Sequence, residues 1–296
     1  TPKAGCLRFD GVDDYVDLGS DVGNGVRTIE MWFKLDDQID ANLDKVSTLV
    51  ARETSQNNVN EFNIAFMPND WGDAEAGKLR FKVFEDMSHA YAVVSDNNLW
   101  LADKWYHVAA VIDPVDGMML FIDGVKQSNT NSYTFTPAEV NTNSTTIGSW
   151  GVNSLPNWSN RNKRCFKGLI DNVRFSPHAL YNSTFTPSCR DANPNVGTFG
   201  VWNFNEGSGT IVYDASANGN HGNIEGSPVW TTSDLCTTPP TQTPPSTRAM
   251  EYRWDFGDGT YKTVLVGQET EGIEFHNYAN PGLYSVTLTI TDPSTG

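Results

Sequence analysis

Basic residues are scarce in this chain of 296 residues: 20 Lys and Arg stand against 36 Asp and Glu, a net charge of −16. Phosphate backbones are held by clustered Lys and Arg, so nucleic acid is excluded as a partner. Apolar runs are short, none approaching the roughly 18 residues that a membrane-spanning helix requires, so membrane insertion is not expected. No secretory leader opens the sequence, which begins Thr1-Pro2 without Met; the expectation is a chain cut from a longer or processed one, part of a multidomain protein. The four cysteines, Cys6, Cys165, Cys189 and Cys236, include no C-x-x-C pair, which argues against zinc and thioredoxin-type chemistry. Five histidines occur without H-E-x-x-H, and no G-x-S-x-G elbow is present. No stretch keeps a helical period.

Strand patterns fill the space that helices leave. Thr28–Leu35 alternates, with Ile29, Met31, Phe33 and Leu35 on one face and Thr28, Glu30, Trp32 and Lys34 on the other. Phe62–Met67, Leu79–Glu85, Ala90–Val94 and Met118–Ile122 read likewise. Tyr106–Ile112 is apolar on both faces, as a central strand covered on each side should be. Asp10-Gly11, Asp116-Gly117 and Asp123-Gly124 supply turn chemistry between strands. Many short strands with regular turns predict an all-β sandwich or barrel. An even cysteine count in a Ser/Thr/Asn-rich, sequon-bearing chain favours two disulfides and an oxidising compartment over four thiols.

Near the end, residues 237–247 read TTPPTQTPPST. Paired prolines cannot join a sheet and favour extended polyproline II, so this segment is expected to be a stiff linker. It divides a large domain, 1–236, from a small module, 248–296. In the latter, Val286, Leu288 and Ile290 alternate with Thr287, Thr289 and Thr291, and Asn280-Pro281-Gly282-Leu283 has the order of a type II turn.

The ordered motifs LRFDGVDDYVDLG (Leu7–Gly19), TIEMWFKL, WYHVAAVID, MLFIDGVKQ, TIGSW and GLIDNVRFS (Gly168–Ser176) resemble the bacterial laminin-G-like, concanavalin-A-like jelly roll. The resemblance implies the fold more sharply than the ligand, because the family includes lectins, adhesins and passive appendages. Gly200–Trp230 also resembles this family, but usually stands before the FDG strand. It is read as a circularly permuted piece completing the same sandwich, with a second, truncated repeat as the alternative. Permutation would bring the domain's ends together, and on that ground the disulfides are expected as Cys6–Cys236 and Cys165–Cys189. The tail, with YRWDFGDGT (Tyr252–Thr260) and HNYANPGLYSVTLTITD (His276–Asp292), resembles a PKD domain, an Ig-like β-sandwich, lacking the strands that should precede Tyr252. Those strands lie upstream of Thr1 in the full protein, or the module is short.

Candidate site residues follow from burial and from the resemblance. In Gly168–Ser176, Asp171 shares parity with Leu169, Val173 and Phe175, so a carboxylate falls on an apolar face, where it must be paired or metal-bound. Asp10, Asp13 and Asp14 lie in the FDGVDD turn. Some relatives bind calcium there, and the resemblance carries this onto Asp10, Asp13 and Asp171; the alternative is an Asp capping the turn. Asp255 and Asp258 of WDFGDG read better as turn caps than as calcium ligands. Asp70, Asp73 and Glu75 near Trp71 read as solvated loop charges. Trp in a polar loop suits a sugar, whose C–H face stacks on the ring while its hydroxyls seek amides and acids. Trp71 with Asp70, and Trp158 with Asn157 and Asn160, are the ligand candidates; Trp150 reads equally as core or binding. Trp32, Trp105, Trp202 and Trp254 are expected in packing. The β-glucanases related to this fold carry their catalytic carboxylates as acid-x-acid-x-x-acid on one strand. No strand here has that pattern: Glu30, Asp123 and Asp171 stand alone, and His107 reads as packed. The resulting expectation is a non-enzymatic, calcium-assisted glycan-binding adhesion module of a secreted or cell-surface bacterial protein. The alternatives are protein recognition, a structural spacer, or an accessory module of a polysaccharide-degrading enzyme.

Overall fold

A computed structural model describes residues 5–52, 61–69, 75–85, 88–134, 143–151, 164–192, 194, 197–236, 250–266, 278 and 282–291. Two compact units are present, Thr1–Thr238 and Pro239–Gly296. No α-helix occurs among the described residues.

In chain order the strands of the first unit are β1 (Cys6–Asp10), β2 (Tyr15–Asp17), β3 (Thr28–Leu35), β4 (Ser47–Arg52), β5 (Glu61–Phe66), β6 (Leu79–Phe84), β7 (Ala90–Val94) and β8 (Trp105–Asp113). There follow β9 (Gly117–Ile122), β10 (Val125–Lys126), β11 (Thr146–Ile147), β12 (Lys167–Ser176), β13 (Gly200–Trp202), β14 (Ile211–Val212), β15 (Gly222–Glu225) and β16 (Val229–Thr231). Two 8-stranded sheets result, ordered β10-β9-β8-β3-β12-β1-β16, with β13 also on β12, and β14-β15-β2-β11-β4-β5-β6-β7. Every pairing between these strands is antiparallel. The core lies between the sheets. Ile29, Met31, Phe33 and Leu35 of the first meet Phe62, Ile64, Phe66 and Phe81 of the second. The alternation of β3 therefore points as its sequence reads. At the hairpin joining β9 to β10, Asp123 and Gly124 both take positive φ, as the turn sequence requires.

The piece at Gly200–Trp230 completes the sandwich, as the permuted reading expects, and does not form a separate repeat. Its strands join both sheets: β13 pairs β12, β16 pairs β1, and β15 pairs β2. Trp202 and Phe204 enter the common core with no exposed surface.

The outer face of the first sheet is covered as well. Ala179, Tyr181 and Phe185 pack on Ala109, Val111, Met119 and Phe121, which accounts for the two apolar faces of β8. Further along, Cys189 and Leu235 cover Cys6, Leu169 and Trp105. Here a sequence expectation fails. The β3–β12 register shifts between Asp171 and Arg174, and Asn172 sits at φ +49°. This bulge changes parity, so Val173 and Phe175 face the core while Leu169 and Asp171 face outward beneath the covering chain. Asp171 is still buried, but not on the face its spacing suggests.

The second unit has three strands, β17 (Met250–Asp255), β18 (Tyr261–Val266) and β19 (Thr287–Thr291), in the order β18-β17-β19. The turn before β18 is closed by its own carboxylates: Gly257 N–H donates to Asp255 Oδ1, and Thr260 N–H and Oγ1–H donate to Asp258 Oδ1. Tyr278 Oη–H reaches Phe256 O at 3.0 Å, and the Tyr278 and Tyr284 rings stack with centroids 4.1 Å apart.

Candidate functional site: an acidic turn

The turn between β1 and β2 gathers three carboxylates. Asp10 ends β1, opposite Lys167 of β12, and Gly11 at φ +80° reverses the chain. Asp10 Oδ1 accepts from Val12 N–H at 2.7 Å and so fixes the turn. The same tightness brings a ligand oxygen of each of Asp10, Asp13 and Asp14 within 4.8 Å of the other two. Asp10 and Asp13 are exposed, whereas Asp14 is buried. Asp14 Oδ2 accepts the Asp10 amide at 2.9 Å, and its Oδ1 accepts the Ser227 amide at 2.6 Å. Gly226 makes this approach possible, since a Cβ there would stand 2.6 Å from Asp14 Oδ1. Burial raises the Asp14 carboxyl above the ordinary aspartate range. The Ser227 and Asp10 amides pull it back only in part, and the charges of Asp10 and Asp13 push it further up.

This donor set fits a hard divalent cation. Calcium takes oxygen ligands at about 2.4 Å, so two ligands on one ion lie at most about 4.8 Å apart, a limit that all three carboxylates respect. A divalent charge would also offset the burial that raises Asp14 and the lesser repulsion from Asp10 and Asp13.

Asp171 does not belong to this group. It lies four residues along β12 from the position opposite Asp10, roughly 13 Å away at strand spacing. Its Oδ2 accepts Ser233 Oγ–H at 2.9 Å and its Oδ1 accepts the Asn172 amide. The buried charge is met by protein groups on the outer face, and Asp14 takes the third position in the acidic turn. Asp14 was legible in FDGVDD, but its clamp at Gly226 and Ser227 is more than 200 residues distant, beyond any local pattern.

The cysteine pairing also differs from expectation. Cys189 is joined to Cys236, in place of Cys6–Cys236 and Cys165–Cys189. The closing chain does bring Cys236 back over β1, but the Asn172 side chain holds the 189–190 segment there through Arg190 O at 2.8 Å. Cys6 lies beneath that segment. Cys165 is elsewhere, bridging to Thr48, with its Sγ 3.7 Å from Ser149 Oγ.

Of the ligand candidates, Asp70, Trp71, Asn157, Trp158 and Asn160 lie outside the described residues. Trp150 is a packing residue: it is buried with Val46 and Ala65, and the Arg164 guanidinium stands 4.7 Å over its ring. Trp105 and Trp202 are buried, and Trp32 is half-buried with its indole N–H on Ser188 O.

The carboxylates that a glycosidase reading would need are engaged otherwise. Glu30 is ion-paired with Arg174 and lies 3.5 Å from His107 Nε2. Burial alone would raise the Glu30 carboxyl, but His107 and Arg174 outweigh it and hold the group below the usual glutamate range. Asp123 accepts the His107 amide at 2.8 Å. Sequence reading took His107 as packed but missed its partners, because Glu30 and Arg174 are far from it in the chain.

The family model of the concanavalin A-like lectin/glucanase superfamily matches residues 10–184. The chain belongs to that superfamily. Residues 232–296 match the PKD domain. No curated protein sequence matches. Among solved structures, one similar chain is a Bacteroides ovatus protein described as carbohydrate-binding, at 16% identity and a TM-score of 0.54; the alignment spans 79% of this chain and 61% of that one. This superfamily member thus covers less than two thirds of the length of that relative. A heptameric pentraxin of Limulus polyphemus is similar at 13% identity and a TM-score of 0.51, over 80% of this chain and 98% of its own. At such identities the shared property is the fold.

Proposed function

We propose that the first unit is a non-catalytic, calcium-assisted carbohydrate-binding module, serving adhesion in a secreted or cell-surface bacterial protein. The observation that carries this reading is the acidic turn: Asp10, Asp13 and Asp14 present carboxylate oxygens within 4.8 Å of one another on a concanavalin A-like sandwich. Bound calcium would supply a fixed positive centre between β1 and β2. The chain itself orients that centre through Val12, Ser227 and the Gly226 approach. The Cys189–Cys236 bond suits an oxidising, extracellular setting. The description of the Bacteroides ovatus protein as carbohydrate-binding adds support for glycan as the ligand class. Trp71 and Trp158, with Asp70, Asn157 and Asn160, remain the proposed loop ligands.

A glycan array probed with the whole chain in calcium tests this. Retention on at least one glycan class is expected. Absence of retention across the array contradicts the reading and favours protein recognition or a spacer. Asp13→Asn should fold as the wild type does, yet need higher calcium for the same rise in melting temperature. At 100 times its dissociation constant, calcium adds about 2.7 kcal/mol, a rise of roughly 5–10 °C for a domain of this size.

A further inference from the structure

A second surface with the chemistry of a sugar site lies at the β14 edge of the second sheet, built by the permuted piece. In β15, Gly222 faces the core, since a Cβ there would meet Val16 Cγ1 at 2.5 Å. Strand alternation therefore turns His221 and Asn223 outward, and both are exposed. In β14, Val212 is buried, which turns Ile211 and Tyr213 to the same outer side, 37% and 55% exposed. The register sets Ile211, Asn223 and Asp17 side by side across β14, β15 and β2. The row continues through Thr146, Ala51 and Asn63, all with no exposed surface. Thr146 is covered there by Ser149 and Gly151, which bond to its hydroxyl. The outer face is thus closed over β11, β4 and β5 and opens over β2, β15 and β14.

The open end is tied down by hydrogen bonds and chemically mixed. The Tyr213 and His221 rings meet edge to face, with centroids 5.1 Å apart at 75°. His221 Nδ1 accepts the Asp214 amide at 3.0 Å, so in the neutral ring the proton sits on Nε2, a donor with no partner among the described residues. Asp214 is itself fixed by the amides of Val201, Ser216 and Asn220. The Tyr213 amide is held by Glu206 Oε1 at 2.8 Å. The Asn223 side chain has no partner among the described residues, and Asp17 spends one oxygen on the Gly19 amide. Gly19 and Gly219 would meet nothing within 4 Å even with a Cβ, so approach is open among the described residues. One aromatic face, a ring N–H donor, a free amide and a carboxylate oxygen are the groups that a pyranose uses: C–H stacking on the ring, hydroxyls to the rest.

Resting on the glycan-binding reading, we infer that Tyr213, His221, Asn223 and Asp17 form a binding subsite for a pyranose unit of a neutral glycan. Neutrality follows from charge: the chain carries −16, and Asp17 sits within the subsite. Anionic sugars would be repelled.

Affinity electrophoresis of the whole chain in gels holding hydroxyethylcellulose, laminarin or galactomannan tests the subsite. Wild type should be retarded in at least one gel. Tyr213→Ala and Asn223→Ala should each bind about tenfold more weakly, a loss of about 1.4 kcal/mol, with melting temperatures within a few degrees of wild type. Tyr213→Phe, which keeps the stacking face, should stay near wild type; should Tyr213→Ala fail to fold, Asn223→Ala and Tyr213→Phe carry the test. Retarded wild type with Asn223→Ala and Tyr213→Ala unchanged overturns the subsite and leaves glycan binding standing. Wild type that is retained on the array only by anionic glycans also overturns the subsite alone. No retention of wild type on gel or array overturns both.

Discussion

Glu30, Arg174, His107 and Tyr181 form a buried polar group beneath the chain that covers the first sheet. Arg174 donates to Glu30 and also to Tyr181 Oη at 3.0 Å. A buried charge is tolerable only while its countercharge remains, so Glu30→Gln should destabilise the domain by about 3–5 kcal/mol by taking the carboxylate away from the Arg174 guanidinium. Because the Glu30 carboxyl is held below its ordinary range, the folded state binds its proton more weakly than the unfolded state does. Its contribution to stability is then full above the unfolded glutamate pKa and is lost as pH falls through the lower folded one. Asp14 behaves oppositely, since its raised carboxyl costs stability as pH rises through that raised pKa. Thermal melts of wild type and Glu30→Gln across acidic pH check the sign: the gap between them should narrow toward low pH, and a constant gap would remove the charge argument.

At the scale of elements, the bulge at Asn172 and the return of residues 200–236 decide what touches what. The Cys189–Cys236 bond ties the end of that return to the covering segment across a separation of 47 residues. Closing a loop of that length removes about 4 kcal/mol of unfolded-chain freedom in the entropic account. Non-reducing peptide mapping should recover the Cys189 and Cys236 peptides joined, and Cys189→Ser should lower the melting temperature. A Cys6–Cys236 peptide would contradict this arrangement. The elements were largely legible: the alternation of Thr28–Leu35 and the two-faced β8 both follow from side-chain period. What escaped depends on single backbone events. One left-handed residue at Asn172 reverses the face of Asp171, and nothing in residue types alone announces it, since Asn-containing strands are common without a bulge. The pairing of cysteines escaped for a related reason. Knowing that Cys236 returns to β1 does not tell whether it meets Cys6 below or Cys189 above.

For the whole molecule, the acidic composition reads as solvation over most of the surface and as chemistry at the β1–β2 turn, where geometry compresses three carboxylates. Asp10 and Asp13 were legible as turn residues, whereas the buried role of Asp14 depends on a loop more than 200 residues away. The Tyr213–His221 surface was illegible for the same reason: its members come from β2, the residue after β14, and β15 with its approach, brought together only by sheet order. Calcium and glycan sites would thus flank β2, with Asp14 just before it and Asp17 at its end, about 10 Å apart. The most direct test titrates calcium into chelator-treated protein while retention on a glycan identified by the array is measured. Retention should rise from near background to a plateau as calcium saturates, and Asp13→Asn should shift that rise to higher calcium. Retention that is already full in chelator and unchanged by calcium would contradict calcium-assisted binding.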